Sequence, residues 1–218
     1  MHQSVSSKRC LLAVALAFAV LLSPAVGFAQ LGTGLPSPVP IPAPTPAATS
    51  SVMGEASAVG STVFGFTTVL GSTGTLSGVN DARDASMTAG SLPSILTGET
   101  LSAATIAWPN QVYSTASLTN LNMTLAGVGI TADSVMAQAS QIAGSAGSGS
   151  SSFSNLSIAG VPINVTGAPN QVVAIPGGIV TINEQTISST GAVVVNALHV
   201  AVVGVANLVV ASATAGIS

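Results

Sequence analysis

The side chains able to do chemistry in this chain are few, and they lie mainly around one glutamate and one histidine. Beyond residue 29 the 218-residue sequence has one basic side chain (Arg83), one histidine (His199), six carboxylates and no cysteine. Glu184 lies between Asn183 and Gln185, directly after a segment rich in valine and isoleucine. This polar set predicts either a hydrogen-bonded turn that fixes strand register, which we favour, or a contact for a polar ligand.

His199 lies within the apolar run of residues 192–203. Strict alternation along a strand places His199 on one face with Val195 and Ala201, and Asn196 on the opposite face. A serine–histidine–carboxylate triad also needs a nucleophile on a Gly-x-Ser-x-Gly turn, and the sequence contains no such turn. We therefore interpret His199 as a hydrogen-bonded core or interface residue and expect no enzymatic activity.

Two aromatic residues are the candidates for a contact with carbohydrate. Trp108 and Tyr113 are the only tryptophan and the only tyrosine of the chain. Glycosidases use a pair of carboxylates and line their clefts with aromatic rings. The sequence leaves open a pair drawn from Glu55, Glu99 and Glu184, but it offers few aromatic residues to accompany them. A binding role for Trp108 and Tyr113 is the better interpretation.

Residues 80–84 form the one local charge cluster of the sequence and are a candidate metal site. Their asparagine and two aspartates could supply oxygen ligands to calcium. The spacing lacks the Asp-x-Asp-x-Asp-Gly pattern of a calcium loop, and Arg83 lies between the two carboxylates. We expect a solvated turn with an Asp–Arg pair instead, with no metal and no cofactor in the protein.

The N-terminus has the pattern of an export signal. Lys8 and Arg9 precede an apolar stretch, residues 11–22, and small residues suited to signal peptidase end at Ala29. We expect residues 1–29 to be a signal peptide and Gln30 to begin the mature chain, with an uncleaved anchor as the alternative. The protein is then secreted or located at the extracellular cell surface.

Residues 30–49 follow as a proline-rich linker, and residues 50–218 form a single domain. Proline at nearly every second position favours an extended, semi-rigid spacer. One basic and six acidic side chains give the mature chain a net charge of −5. This charge argues against nucleic acid or an anionic membrane surface as a partner. The absence of cysteine means that no disulfide holds the domain.

Short strand and turn signals run through residues 50–218. Residues 157–163 predict two short strands around an Ala-Gly turn, and residues 172–182 predict a hairpin around Pro-Gly. Residues 112–125 alternate as a strand, but the apolar phase slips at Asn120, which predicts a bulge or a bend.

Three other segments complete the fold prediction. Residues 131–144 fit a helix or a strand, with strand favoured, and residues 192–203 predict a strand covered on both faces. Residues 144–152 predict a flexible loop, and no segment of the mature chain predicts a membrane span. The fold class is therefore all-β: an antiparallel β-sandwich or β-roll, with a β-solenoid as the alternative.

The domain resembles the bacterial choice-of-anchor P surface domain. The resemblance runs from about Gly54 to the C-terminus, and its most specific segments are Asn-Glu-Gln and Ala-Leu-His-Val in this order and spacing. The segments that carry it are residues 54–60, 156–160, 168–170, 175–177, 181–185 and 195–200. The family name implies an exported domain joined to varied envelope anchors, and the family carries no established catalytic residues.

The functional expectation combines export, low charge and this resemblance. We expect a secreted, cell-envelope-associated structural or interaction module without catalytic activity. The alternative is a carbohydrate- or surface-binding, adhesin-like domain. Its partners would be a second copy or an envelope or extracellular polymer. Because the sequence has no Leu-Pro-x-Thr-Gly motif near its end, we expect release or non-covalent retention rather than wall anchoring.

Overall fold

The computed structural model describes residues 51–218, and the predicted signal peptide and proline-rich linker lie outside these residues. The described residues form fifteen strands and no helix. They therefore contain no helix with the length and apolar character needed to cross a membrane. The strands are β1 (Val52–Val63), β2 (Phe66–Ser72), β3 (Ala82–Met87), β4 (Gly90–Leu92), β5 (Leu96–Gly98), β6 (Leu101–Trp108), β7 (Gln111–Leu125), β8 (Val128–Ile142), β9 (Ser148–Ser154), β10 (Ser157–Ile158), β11 (Val161–Pro162), β12 (Gln171–Ile175), β13 (Gly178–Ile187), β14 (Val193–Val202) and β15 (Ala206–Ile217).

The strands form two antiparallel sheets that pack face to face. Sheet A has the order β12-β13-β14-β15-β1-β2. Sheet B is built around the long pair β7–β8, with β6, β5 and β9 beside it. β15 and β1 of sheet A pack on β7 and β8 of sheet B, and the buried aliphatic side chains lie between the sheets. The predicted all-β class is confirmed, and its architecture is a sandwich rather than a solenoid.

The hairpins predicted from turn residues are present. β10 and β11 pair around Ala159 and Gly160, and both of these residues have positive φ. β12 and β13 pair around Pro176 and Gly177, and Gly177 has φ +73°. Positive φ at both Ala159 and Gly160 matches the twist of the flanking strands, whereas in the second turn proline presets φ of the first residue and glycine accepts the positive φ of the second. Both are properties of the turn residues themselves, which is why local sequence was sufficient to predict these hairpins.

The predicted irregularity at Asn120 is also present. In β7 the buried positions have even numbers up to Leu118 and odd numbers from Leu121 onward. Asn120 has φ +50° at the change of phase, and the pairing with β8 skips this position. A left-handed residue inside the strand therefore turns the following side chains to the opposite face.

Residues 131–144, for which strand was favoured over helix, are strand through Ile142 in β8. Two other segments differ in detail from the sequence predictions. The predicted flexible loop 144–152 is shorter, because residues from Ser148 onward pair with β8 as β9. β14 is a strand as predicted, but it is not covered on both faces. Its outer residues Val194, Asn196 and His199 are only half-buried, because no second layer covers that side of sheet A.

The two ends of the described chain meet. β1 and β15 are neighbours in sheet A, with Val52 opposite Ile217. The N–H of Ser51 donates to the carbonyl of Ser218 at 2.9 Å, and the reverse bond is 3.0 Å long. Residues 51 and 218 thus leave the sandwich at the same end of one strand pair.

Candidate functional site

A chain of hydrogen-bonded polar side chains crosses the outer face of sheet A. The Nδ1–H of His199 donates to Glu184 Oε1 at 2.9 Å, and the amide of Asn196 donates to Glu184 Oε2 at 2.6 Å. The hydroxyl of Ser212 donates to Asn196 Oδ1 at 2.7 Å. His199 Nε2 lies 3.0 Å from Asn207 Oδ1 at the other end. We call these five residues the Glu184 network; they lie on β13, β14 and β15.

The network depends on a change of phase that the sequence does not mark. Between Asn196 and His199 both Ala197 and Leu198 are fully buried, so the two polar residues face the same way. The prediction that Asn196 points away from His199 is therefore wrong. Strict alternation fails because the pairing of β13 with β14 leaves out one residue of each strand: the pair after Ile182–Leu198 is Glu184–Asn196.

The cause is a line of left-handed residues that crosses sheet A. Asn183 in β13, Ala211 in β15 and Gly71 in β2 have φ of +54°, +53° and +58°. The strands between them carry Ala197 and Ala58 on this line, and both alanines are fully buried. β1, β14 and β15 change their buried face here, and this brings Glu184, Asn196 and Ser212 together on the outer face.

The predicted polar set Asn183, Glu184 and Gln185 is divided between two sides of the strand. The set does not follow a strand, as the sequence suggested, but lies within β13. Asn183 is buried, donates to the carbonyl of Gly167 and accepts from Gln185 Nε2. Gln185 Nε2 also donates to the carbonyl of Gly149 in β9. Asn183 and Gln185 tie neighbouring segments to the strand, and only Glu184 contributes to the network.

The histidine of the network is compatible with two protonation states. Nδ1–H donates to the carboxylate in both. With Asn207 Oδ1 facing Nε2, the ring is doubly protonated; with the Asn207 carboxamide turned over, its amide donates to a neutral ring. The side chains of His199 and Glu184 are 20% and 28% exposed, so solvent reaches both. Both side chains can therefore form hydrogen bonds with water or with a bound polar group.

Within the described part of the chain, the histidine of the Glu184 network is not paired with a hydroxyl group. Ser212, the only hydroxyl in the network, bonds to Asn196 and is separated from His199 by Asn196 and Glu184. No group of three or more metal-ligating side chains occurs within residues 51–218. The network can therefore donate and accept hydrogen bonds on an open sheet face, but it does not present an activated nucleophile.

Trp108 and Tyr113 lie on the outer face of sheet B, away from the Glu184 network. Trp108 pairs with Gln111, and Tyr113 is two residues further along β7, so the two rings are diagonal neighbours on one face. Trp108 is 42% exposed. Tyr113 borders a shallow depression of about 320 Å³ that is also lined by Gln138, Ser140 and Ser150. The structure thus brings the two aromatic candidates together beside uncharged hydrogen-bonding groups.

The charge cluster of residues 80–84 contains the predicted Asp–Arg pair. Arg83 Nε donates to Asp81 Oδ2 at 3.1 Å. The backbone N–H of Ser77 donates to the same oxygen at 2.8 Å, as does its hydroxyl. These bonds, with the Ser77 backbone N–H first among them, lower the pKa of Asp81 to about 2. The predicted turn covers only the beginning of the cluster, at Asn80; residues 82–84 belong to β3, and Asp81 and Arg83 are half-buried.

Sequence reasoning missed Asn207 and Ser212, the two ends of the Glu184 network. Both lie in β15, where small and apolar residues surround them, and nothing local marks them as partners of β14. The sequence does show isolated asparagine and serine residues in two consecutive apolar segments. These residues could have been predicted as partners only if the register of the two strands were known.

Fold and site together define an antiparallel β-sandwich with an open polar network on one face and an aromatic pair on the other. Comparisons with family models, with curated proteins and with solved structures give no match for this chain.

Proposed function

We propose that this protein is an exported module of the bacterial cell envelope that acts by binding rather than by catalysis. Its partner is an envelope or extracellular polymer, or a second copy. The resemblance to choice-of-anchor P domains and the N-terminal export pattern support the location. The observation that carries the proposal is that Glu184 and His199, the best candidates for acid–base chemistry, are hydrogen-bonded to carboxamides on an open face with no nucleophile beside them.

The test combines location with activity. The full chain is produced in a bacterial host and the envelope, medium and cytoplasm are separated. We expect the processed protein in the envelope or the medium, and equal retention of the wild type and of the Glu184→Gln and His199→Gln variants. Hydrolysis of envelope polymers by the wild type that Glu184→Gln abolishes would contradict the proposal, as would accumulation in the cytoplasm.

A second candidate function is carbohydrate binding through sheet B. Trp108 and Tyr113 share one outer face beside serine and glutamine side chains, and this arrangement favours stacking against a sugar ring with hydrogen bonds to its hydroxyls. Uncharged hydroxyl and amide groups suit a neutral polysaccharide better than an anionic one.

Trp108 reports on this site directly because it is the only tryptophan of the chain. Titration with soluble neutral oligosaccharides should change its fluorescence and give a Kd. Tyr113→Ala should raise this Kd by about tenfold. Phe153→Leu, at an aromatic residue that lines a different pocket, is the control. No response from any glycan, confirmed on a glycan array, would remove carbohydrate binding and leave the structural role.

A further inference from the structure

The edge strands of the sandwich differ in how well they are protected from pairing with another chain. Among the described residues, β3 carries Arg83 and Asp84, and β11 has two residues, one of them Pro162. β4 has only three residues. β2, at the edge of sheet A, has seven residues without a charge or a proline; β9 of sheet B is equally long and uncharged, but only β2 of these two has exposed large apolar side chains, Phe66 and Val69. Charges, prolines and short length are the usual devices that block edge pairing, and β2 has none of them.

The backbone of β2 leaves four hydrogen-bonding groups free at this edge. β1 and β2 are joined by the two-residue turn Phe64-Gly65, so the closing pair Val63–Phe66 exchanges hydrogen bonds. Bonded and non-bonded pairs then alternate, which directs the N–H and C=O groups of Thr67 and Val69 away from β1. Neither residue has another backbone partner within residues 51–218.

We propose that two copies of this protein pair antiparallel through β2, with the two-fold axis at Thr68. In this register Thr67 lies opposite Val69 of the second copy, and both such pairs exchange two hydrogen bonds. A register centred on Val69 would instead require Gly71, whose φ of +58° interrupts the strand. The register at Thr68 therefore satisfies all four free groups and joins the two six-stranded sheets.

The side chains favour the same register. Phe66 and Leu70 lie on the inner side of β2, opposite Val63 and Val59, and Phe66 is 80% exposed. Pairing at Thr68 places Phe66 against Leu70 of the second copy, so the exposed ring continues the core of the sandwich. The other edge of sheet A lacks this driving force, because the inner residues Val173 and Ile175 of β12 already pack on the core.

This inference rests on the proposed role as a binding module, but it is tested on purified protein, where location has no influence. Sedimentation of the full processed chain from about 1 to 100 μM should show a monomer–dimer equilibrium. Thr68→Lys should raise the dimer Kd by at least about tenfold, because this register places the two lysines directly opposite each other across the two-fold axis. Val172→Lys, which adds the same charge at an exposed position of the other edge strand β12, is the control. A monomer at every concentration, or equal effects of the two variants, overturns the proposal.

Cross-linking tests the register. In the processed chain, which has no cysteine of its own, the Thr68→Cys variant places two cysteines at a non-hydrogen-bonded antiparallel pair with Cα atoms about 4.5 Å apart, within disulfide range. Mild oxidation should give covalent dimers. Thr67→Cys is the control, since its two copies would be about 8 Å apart. Dimers from Thr67→Cys rather than Thr68→Cys, or from neither, overturn the register.

Discussion

Gln141 is a buried residue whose carboxamide holds several chain segments together. Its Nε2 donates to the carbonyls of Ser145 and Thr190, and its Oε1 accepts from the N–H of Ile217 at 2.9 Å. Three backbone groups from separate segments are therefore satisfied by one side chain. A buried backbone group without a partner costs free energy, so this residue contributes to stability well beyond its size.

Replacing Gln141 should be among the most damaging single substitutions. We expect Gln141→Leu to lower the free energy of unfolding by about 2–4 kcal/mol, because three backbone groups lose their partner. Urea denaturation followed by circular dichroism measures the loss. Gln138→Leu, at a half-buried glutamine of the same strand, should change stability by less than about 0.5 kcal/mol. Equal losses from the two variants would contradict this account.

Asp81 gives the protein a specific response to acid. Its pKa is lowered to about 2 by the backbone N–H of Ser77, the Ser77 hydroxyl and Arg83. Because the pKa is lower in the folded chain, the contribution of the carboxylate to stability is complete above pH 4 and is lost as the pH falls toward 2.

Asp81→Asn should therefore make the unfolding midpoint less dependent on pH between about 4 and 2. Thermal unfolding at half-unit pH intervals provides the curve. Asp84→Asn removes the same charge three residues further on, in β3, where the carboxylate makes no hydrogen bond among residues 51–218, and serves as the control. An unchanged pH slope in Asp81→Asn would mean that the Ser77 bonds do not persist in solution.

The left-handed line across sheet A shows what local sequence can and cannot reveal about strands. The phase change at Asn120 was predictable, because apolar and polar residues alternate visibly on both sides of it. The corresponding changes at Ala197 and Ala211 were hidden, because alanine and valine occupy both faces and mark neither. Hairpins were predicted correctly since their turn residues act locally, whereas the Glu184 network needs the register of three strands.

Ala211 should accept glycine with little loss of stability. Its φ of +53° costs an L-residue of order 1 kcal/mol, which roughly offsets the buried methyl group that glycine lacks. Ala213, equally buried in the same strand, has no positive φ among the described residues. Ala213→Gly should therefore lower the free energy of unfolding by about 1 kcal/mol more than Ala211→Gly. Chemical denaturation of both variants decides, and the reverse order would contradict a strained Ala211.

At the scale of the whole molecule, the all-β class followed from the strand and turn signals, but the positions of the functional side chains on the two outer faces did not. The low charge and the strand signals of residues 50–218 were sufficient for the fold. Which face carries Trp108 and which carries His199 depends on sheet assignment, and the sequence contains no direct marker for it.

The domain should fold without the preceding segment. Prolines in residues 35–46 cannot join a central sheet, and the described sheets are complete from Val52. The melting temperature of a chain of residues 50–218 should lie within about 2 °C of that of residues 30–218. For a domain of this size, such a shift corresponds to no more than about 1 kcal/mol in the free energy of unfolding. Calorimetry of both provides the comparison. A larger fall would show that residues 30–49 pack on the sandwich.

The pairing of Ser51 with Ser218 has a mechanical consequence. A force applied between these two residues pulls β1 and β15 apart at one end, so their hydrogen bonds break one after another, as in unzipping. A force applied between Ser51 and Ala206, which lie at opposite ends of the pair β1–β15, runs along both strands and loads many bonds at once. The same sandwich is thus weak in one pulling direction and resistant in another, and which one operates at a surface depends on where the second attachment lies.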